Sequence, residues 1–242
     1  MPEGPSIVIL KEAVQAFKGQ KVIEVGGNTK IDKDRMLNQE IIDFKTWGKH
    51  FLICFKHFTI RIHMLMFGSY SINEKKDRVP RLSLRFNNGE INFYTCAVKE
   101  IDEPINEVYD FTADVMNDAW DANAARKKLK AQPEMLVCDA LLDQQIFAGV
   151  GNIIKNEVLF RIKVHPSTPV GHLPPRKLTE MIKEARNYSF DFLEWKKAYA
   201  LKKHWLAYTK KKCPRDGSPI VKQHLGKTHR RTFFCETCQV EY

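Results

Sequence analysis

The sequence predicts an α+β protein: an N-terminal helix on a β-sandwich or barrel, then a helical domain, then a short hairpin-sized tail. Three observations predict it. Alternating apolar patterns crowd the first half of the chain, helical spacings follow, and the last 30 or so residues are basic and carry cysteines. At 242 residues the chain has room for two small domains with modest cores of their own. The expected divisions are 1–115, 123–205 and 206–242, with a linker near 112–122, where "TADVMNDAWDANAA" lacks a clear period.

The elements follow in order. In residues 6–18 ("SIVILKEAVQAFK") Ile7, Leu10, Val14 and Phe17 fall at helical spacing, and Ser6 is the expected N-cap. "HFLICF" and "TIRIHMLMF" alternate or run apolar, as strands do. "RLSLRFNNGEINFYT" reads as a hairpin: Leu82, Leu84 and Phe86 alternate, Asn88-Gly89 suits a tight turn, and Ile91 and Phe93 alternate again. "DANAARKKLKAQ", "EMLVCDALLDQ", "NIIKNEVLF" and "PRKLTEMIKEARNYSFDFLEWKKAYA" have helical character. Gly151-Asn152 introduces the third of these and Pro174-Pro175 the last.

Composition narrows the function classes. Hydrophobic residues make up 43% of the chain, which argues against disorder. No apolar run reaches the ~18 residues of a membrane-spanning helix. The start of the chain has no basic and then apolar leader, so the cytosol is the expected location. Net charge is +10, and residues 201–242 hold 10 Lys/Arg against 3 Asp/Glu. A basic segment of this kind suits a phosphate-bearing partner. Cys54, Cys96 and Cys138 stand alone in apolar contexts and read as reduced core residues. Cys213, Cys235 and Cys238 cluster at the C-terminus, which in a cytosolic chain points to a metal rather than to disulfides.

Two stretches carry chemistry. The chain opens "MPEGP". Removal of Met1 would leave Pro2 with a free secondary amine beside the Glu3 carboxylate. An α-amino group titrates near ~8, so a useful neutral fraction exists at neutral pH. The second stretch is "DQQIFAGVGNIIKNEVLF" (143–160), in which a Gly-x-Gly turn opens directly into a helix. Backbone N–H groups and the positive helix end then face outward together, as a phosphate requires. No β-strand precedes this turn, so a dinucleotide-binding fold fits it poorly.

"AGVGNI", followed by an acid and "LF", resembles the helix-two-turn-helix of the formamidopyrimidine-DNA glycosylase and endonuclease VIII family. "MPEGP" resembles the start of endonuclease VIII. The resemblance covers nearly the whole chain, because the N-terminus, strand segment, helical module and C-terminal finger follow the family's order. It implies a base-excision-repair enzyme that removes oxidised pyrimidines and cleaves abasic sites by β,δ-elimination, acting as a monomer on damaged double-stranded DNA in a bacterial-type cytoplasm. Within the class, an oxidised-purine glycosylase is the alternative. Outside it, a non-catalytic damaged-DNA-binding protein is.

The resemblance also implies site residues. Pro2 is the nucleophile, forming a Schiff base at the sugar C1′, and Glu3 is the general acid or base. Lys49, in "TWGKHFLICF" and expected on a strand, holds a phosphate or sugar oxygen. Leu65, Met66 and Phe67 match the wedge that fills the place of a flipped nucleotide. The Arg-Phe pair that purine-specific relatives carry in a second loop has no counterpart in "YTCAVKEI" (94–101). Asn152 and Arg230 match the groups that grip phosphates beside that nucleotide, Arg through its planar fork. A structural zinc is implied in the C-terminal hairpin, held by Cys213, Asp216, Cys235 and Cys238. Asp216 stands where the family has cysteine, with 18 residues between it and Cys235; zinc accepts carboxylate oxygen as well as thiolate. His224 and His229 offer other donors away from the matching position. Ser6 is a second departure, standing where endonuclease VIII carries a glutamate.

Overall fold

The computed structural model describes residues 2–242 and divides into two compact units, Met1–Asp110 and Phe111–Tyr242. Removal of Met1 concerns a residue outside those described. The first unit opens with α1 (Gly4–Ala13) and holds β1 (Glu24–Gly26), β2 (Asp43–Trp47), β3 (His50–Cys54), β4 (Thr59–Ile72), β5 (Leu82–Phe86), β6 (Gly89–Ile101) and the single turn α2 (Ile105–Val108). The second holds α3 (Ala122–Lys130), α4 (Val137–Ala140), α5 (Asn152–Arg161), α6 (Pro175–Lys197), β7 (Val221–Leu225) and β8 (Arg230–Phe234).

The six strands of the first unit form one antiparallel sheet in the order β1-β5-β6-β4-β3-β2. The two long strands, β4 and β6, belong to both halves of a sandwich. Thr59–Met64 pairs beside β3, and Ser69–Ile72 pairs with the stretch of β6 that also bonds β5. The register breaks between Met64 and Ser69. A bulge of this kind bends a strand and lets one sheet close on itself. Phe44, Phe51, Phe93 and Ile60 fill the space between the halves, and α1 seals β2 and β3 with Ile7 and Leu10. Each such side chain contributes roughly 1.5–3 kcal/mol when fully buried.

Several local expectations shift. Helix α1 begins at Gly4 with Glu3 at the N-cap, so Ser6 lies in the first turn and does not cap it. Pro5 decides this, since proline is pre-organised for the first helical positions and lacks an N–H that would need a partner. Lys49 sits in the turn between β2 and β3, after Gly48 with φ +52, and not on a strand. The β5–β6 connection is Asn87-Asn88, because Phe86 pairs with Gly89. Gly89 has φ +144, and a Cβ there would lie 2.0 Å from Asn73 Oδ1. The stretch 94–101 is no loop: β6 runs through it to Ile101. Residues 111–121, where the sequence lacks a period, fold with the second unit. Val115 N donates to Ala148 O, and Asp121 caps α3 by accepting from Asn123 N and Ala124 N.

In the second unit α3, α5 and α6 surround a core of Leu129, Ile154, Val158, Met181 and Tyr188. A smaller core joins α5 to the hairpin through Phe160, Ile220, Phe233 and Cys235. Cys54, Cys96 and Cys138 are buried free thiols. No helix among the described residues is long and apolar enough to cross a membrane.

Candidate active site and nucleic-acid interface

In the first unit the head of α1 presents Pro2, half-buried, and then Glu3, with 0% of its surface exposed. Glu3 occupies the N-cap in an extended conformation, yet its side chain does not cap the helix. An acid there lies at the positive end of the helix dipole. Ser6 Oγ, one turn on, is buried with no hydrogen-bond partner among the described residues.

Lys49 projects from the β2–β3 turn into surroundings the sequence reading missed. His50 and His63 pair across β3 and β4 with rings edge to face at 5.3 Å. Tyr109 lies 5.7 Å from His50 and 5.0 Å from Trp47, whose indole N–H donates to Asp110 O at 2.9 Å. Burial, then the positive charges of Arg61 and Lys49, hold both imidazoles below the usual range; His50 is pushed down to about 3. Both rings are therefore neutral at neutral pH, beside two fixed cations. His50 Nδ1 and Arg61 Nε are buried without a partner among the described residues. The available signal was the run of polar residues, Arg61 and His63, alternating with apolar ones in "TIRIHMLMF".

Leu65, Met66 and Phe67 sit in the β4 bulge. Met64 pairs with Cys96 and Ser69 with Tyr94, so residues 65–68 stand opposite Thr95 alone. Gly68 closes the bulge, because a Cβ there would lie 2.9 Å from Met64 Cα. All three apolar side chains are extruded, 44%, 56% and 78% exposed, instead of alternating into the core. Three neighbouring exposed apolar groups need a partner surface.

In the second unit the Gly149–Gly151 turn leads into α5, with Gly151 at the N-cap. Gly149 has φ +100, and the Gln144 amide braces the turn, accepting from Gly149 N and donating to Val150 O. Helix α5 is buried along its length, polar residues included. Asn152 Nδ2 donates to Arg231 O at 2.8 Å, and Lys155 Nζ donates to Thr232 Oγ1 at 2.8 Å. Asn156 Oδ1 accepts from Phe233 N. The Glu157 carboxylate accepts from the backbone N–H groups of Leu206, Ala207 and Tyr208. The bonds of Asn152, Lys155 and Asn156 fix β8 to α5, those of Glu157 fix the segment before the hairpin, and Arg230 stands exposed at the start of β8. Asn152 is thus brought beside the strand that carries Arg230, and its buried Oδ1 has no partner among the described residues.

Cys213, Asp216, Cys235 and Cys238 converge, with their donor atoms all within 4.8 Å of one another. Cys213 Sγ lies 3.8 Å from Cys238 Sγ, and Cys235 Sγ lies 3.3 Å from Asp216 Oδ2. Hydrogen bonds from the Ser218 hydroxyl and backbone N–H hold the Asp216 carboxyl at about 2. Burial pushes the Cys213 thiol up to about 11, a cost that a bound cation reverses. Three sulfurs and one ionised carboxylate at this spacing can hold a metal. His224 and His229 lie outside the cluster; His224 Nδ1 bonds His229 O at 2.9 Å.

Residues 111–190 match the H2TH domain of formamidopyrimidine-DNA glycosylase. Among curated proteins, the chain is 33% identical to endonuclease 8-like 3 of Xenopus laevis over 208 residues, which is 81% of this chain and 34% of that one. It is 28% identical to endonuclease 8-like 2 of Bos taurus over 323 residues, covering 99% and 96%. The chain thus spans about a third of the length of its endonuclease 8-like 3 relatives. A viral DNA glycosylase shares the fold with a TM-score of 0.85 at 19% identity, over 98% of this chain and 100% of that one. So does Lactococcus lactis Fpg, in complex with DNA containing an oxidised pyrimidine, with a TM-score of 0.86 at 20% identity over 98% and 99%. The matched domain and these relatives are of the formamidopyrimidine-DNA glycosylase and endonuclease VIII family, which the chain resembles along most of its length.

Proposed function

We propose that this chain is a bifunctional DNA glycosylase and abasic-site lyase acting on oxidised pyrimidines in duplex DNA, as a monomer. The observation that carries the reading is the head of α1, where Pro2 directly precedes a wholly buried glutamate. With Met1 removed, the Pro2 nitrogen attacks the sugar C1′, and the N–C bond forms as the damaged base leaves with its electron pair. The Pro2 N–H proton is lost, the C1′–O4′ bond then breaks with a proton delivered to O4′, and the nitrogen lone pair closes an iminium. Loss of the 2′ proton expels the 3′ phosphate in β-elimination, and loss of the 4′ proton expels the 5′ phosphate in δ-elimination. Glu3 moves protons during ring opening. Lys49, with the neutral His50 and His63 beside it, binds a phosphate or sugar oxygen.

Arg230 and Asn152 take phosphates beside the flipped nucleotide, and Leu65, Met66 and Phe67 occupy its vacated place. Cys213, Asp216, Cys235 and Cys238 hold a zinc whose contribution is structural, bracing a hairpin too small to form its own core. Relatives solved with oxidised-pyrimidine and abasic-site DNA support DNA as the partner.

Borohydride added during reaction with abasic DNA should trap a covalent complex that maps to Pro2. An adduct on Lys49, or full lyase activity with a blocked N-terminus, would refute the proline mechanism, because an amide nitrogen has its lone pair delocalised into the carbonyl.

A further inference from the structure

Beside the bulge lies a pair of cations, Lys76 and Arg78, apart from the candidate site residues. The β4–β5 connection, residues 73–81, reads "NEKKDRVPR". Lys76 Nζ donates to Ser69 Oγ at 2.9 Å, and Arg78 Nη2 donates to the same oxygen at 2.8 Å. Arg78 Nη1 reaches Thr95 Oγ1 at 3.2 Å. Both cations lie over the ring of Tyr94, at 5.2 and 5.0 Å from its centroid, and the Tyr94 hydroxyl accepts from Lys76 N. Ser69, Tyr94 and Thr95 are the residues that close the bulge from which Leu65, Met66 and Phe67 project.

The chemistry of this cluster is one-sided. Both side chains are exposed, and neither forms an ion pair among the described residues; their partners are hydroxyls and a ring face. Hydroxyls and a π face orient a cation without neutralising it. A cation held in this way keeps its charge for an outside anion and loses little rotamer freedom on meeting it. Its neighbours are three exposed apolar groups. Apolar groups suited to a base stack, flanked by fixed cations suited to its backbone, together make a nucleic-acid surface.

We infer that Lys76 and Arg78 bind backbone phosphates of the strand opposite the lesion, beside the point where the Leu65-Met66-Phe67 triplet enters the duplex. This rests on the DNA-repair reading above. In that reading Arg230, Asn152 and Lys49 take the phosphates of the damaged strand. The phosphates left for a cation pair at the base of the wedge are those of its complement. The pair therefore sets a preference for duplex over single-stranded substrate.

The test uses the full chain and two probes: a duplex with one tetrahydrofuran abasic analogue, and the same lesion strand alone. Affinity is measured across a salt series for wild type, for Lys76→Gln/Arg78→Gln and for Lys76→Arg/Arg78→Lys. The glutamine variant should bind the duplex at least tenfold more weakly. Its log affinity against log salt should be shallower by about 1–2, since each lost phosphate contact removes about 0.9 from the slope. Its affinity for the single strand should stay at the wild-type value, and the charge-preserving variant should match wild type on both probes. Equal loss on both probes, or unchanged duplex affinity and slope, overturns the inference. Failure of wild type to bind either probe would instead remove the DNA-repair reading beneath it. An unchanged thermal midpoint separates a lost contact from a lost fold.

Discussion

Asp139 tests how the hairpin that carries Arg230 is held. It lies in α4, 9% exposed, and its carboxylate reaches the β7–β8 turn 88 and 89 residues later. It accepts from Lys227 N at 2.8 Å, Thr228 N at 3.3 Å and Thr228 Oγ1 at 3.1 Å. Gly226, with φ +69, brings the turn this close; a Cβ there would lie 2.4 Å from both carboxylate oxygens. A hydrogen bond to a charged acceptor contributes about 1.5–3 kcal/mol. One bond here is short and two are long, and water reaches the turn once the carboxylate is gone. The expected cost of Asp139→Ala is therefore about 2–4 kcal/mol rather than three full bonds. Urea unfolding should show it as a lower midpoint at unchanged slope. Asp139→Asn, which keeps one acceptor and loses the charge, should fall between. Gly226→Ala should push the turn off the carboxylate. Combined with Asp139→Ala it should cost less than the sum, because both changes break one contact. DNA affinity should fall with Asp139→Ala at temperatures where the chain is folded, since Arg230 follows this turn. A wild-type midpoint for Asp139→Ala, or full additivity with Gly226→Ala, would refute the reasoning.

Three further outcomes follow from the structure. Elemental analysis of protein purified without chelator should find one zinc per chain, and Asp216→Ala should lower that content and the thermal midpoint together; less than about 0.2 zinc per chain, well short of a structural site, would remove the metal. Duplexes with 5-hydroxycytosine or thymine glycol should be cut faster than those with 8-oxoguanine opposite cytosine. Truncating Leu65, Met66 and Phe67 to Ala should slow base removal while sparing cleavage at a ready-made abasic site, where no base is flipped; equal slowing of both would count against the wedge. His50, held at about 3 in the folded chain, binds its proton more readily when unfolded, so it contributes stability above pH ~6.5 that is lost as pH falls toward 3. His50→Gln should flatten that part of the stability profile, and an unchanged profile would show that the ring does not titrate there.

Legibility in the sequence followed how local each cause was. Alternation and helical spacing are local, and they located the sandwich strands, the hairpin and the helices. The candidate groups stood out for the same reason: "MPEGP", the Gly149–Gly151 turn and Cys235-x2-Cys238 are short motifs whose spacing is itself the signal. The boundary residues were less so. Ser6 looked like a cap because its type suits one, yet Pro5 moved the start of α1 upstream. Lys49 looked like a strand residue because apolar residues follow it, but Gly48 takes a positive φ and puts the lysine in the turn.

What the sequence could not show is the set of groups whose partners lie far along the chain. Asn152, Lys155, Asn156 and Glu157 are polar residues in a helix, and in isolation that pattern reads as a solvent face. In the structure all four are buried, and their partners lie 49 to 79 residues away, in the hairpin and in the segment before it. Burying four polar side chains on one helix is tolerable only because each meets a backbone or hydroxyl partner. The same holds for the bulge. The triplet was visible as three apolar residues, but its exposure depends on Met64 pairing with Cys96 while Ser69 pairs with Tyr94, a register no local pattern specifies. The pairing that extrudes the apolar triplet also places Ser69 and Thr95 where Lys76 and Arg78 find their hydroxyls. One slip of register would therefore lose the exposed triplet and the cation pair beside it together.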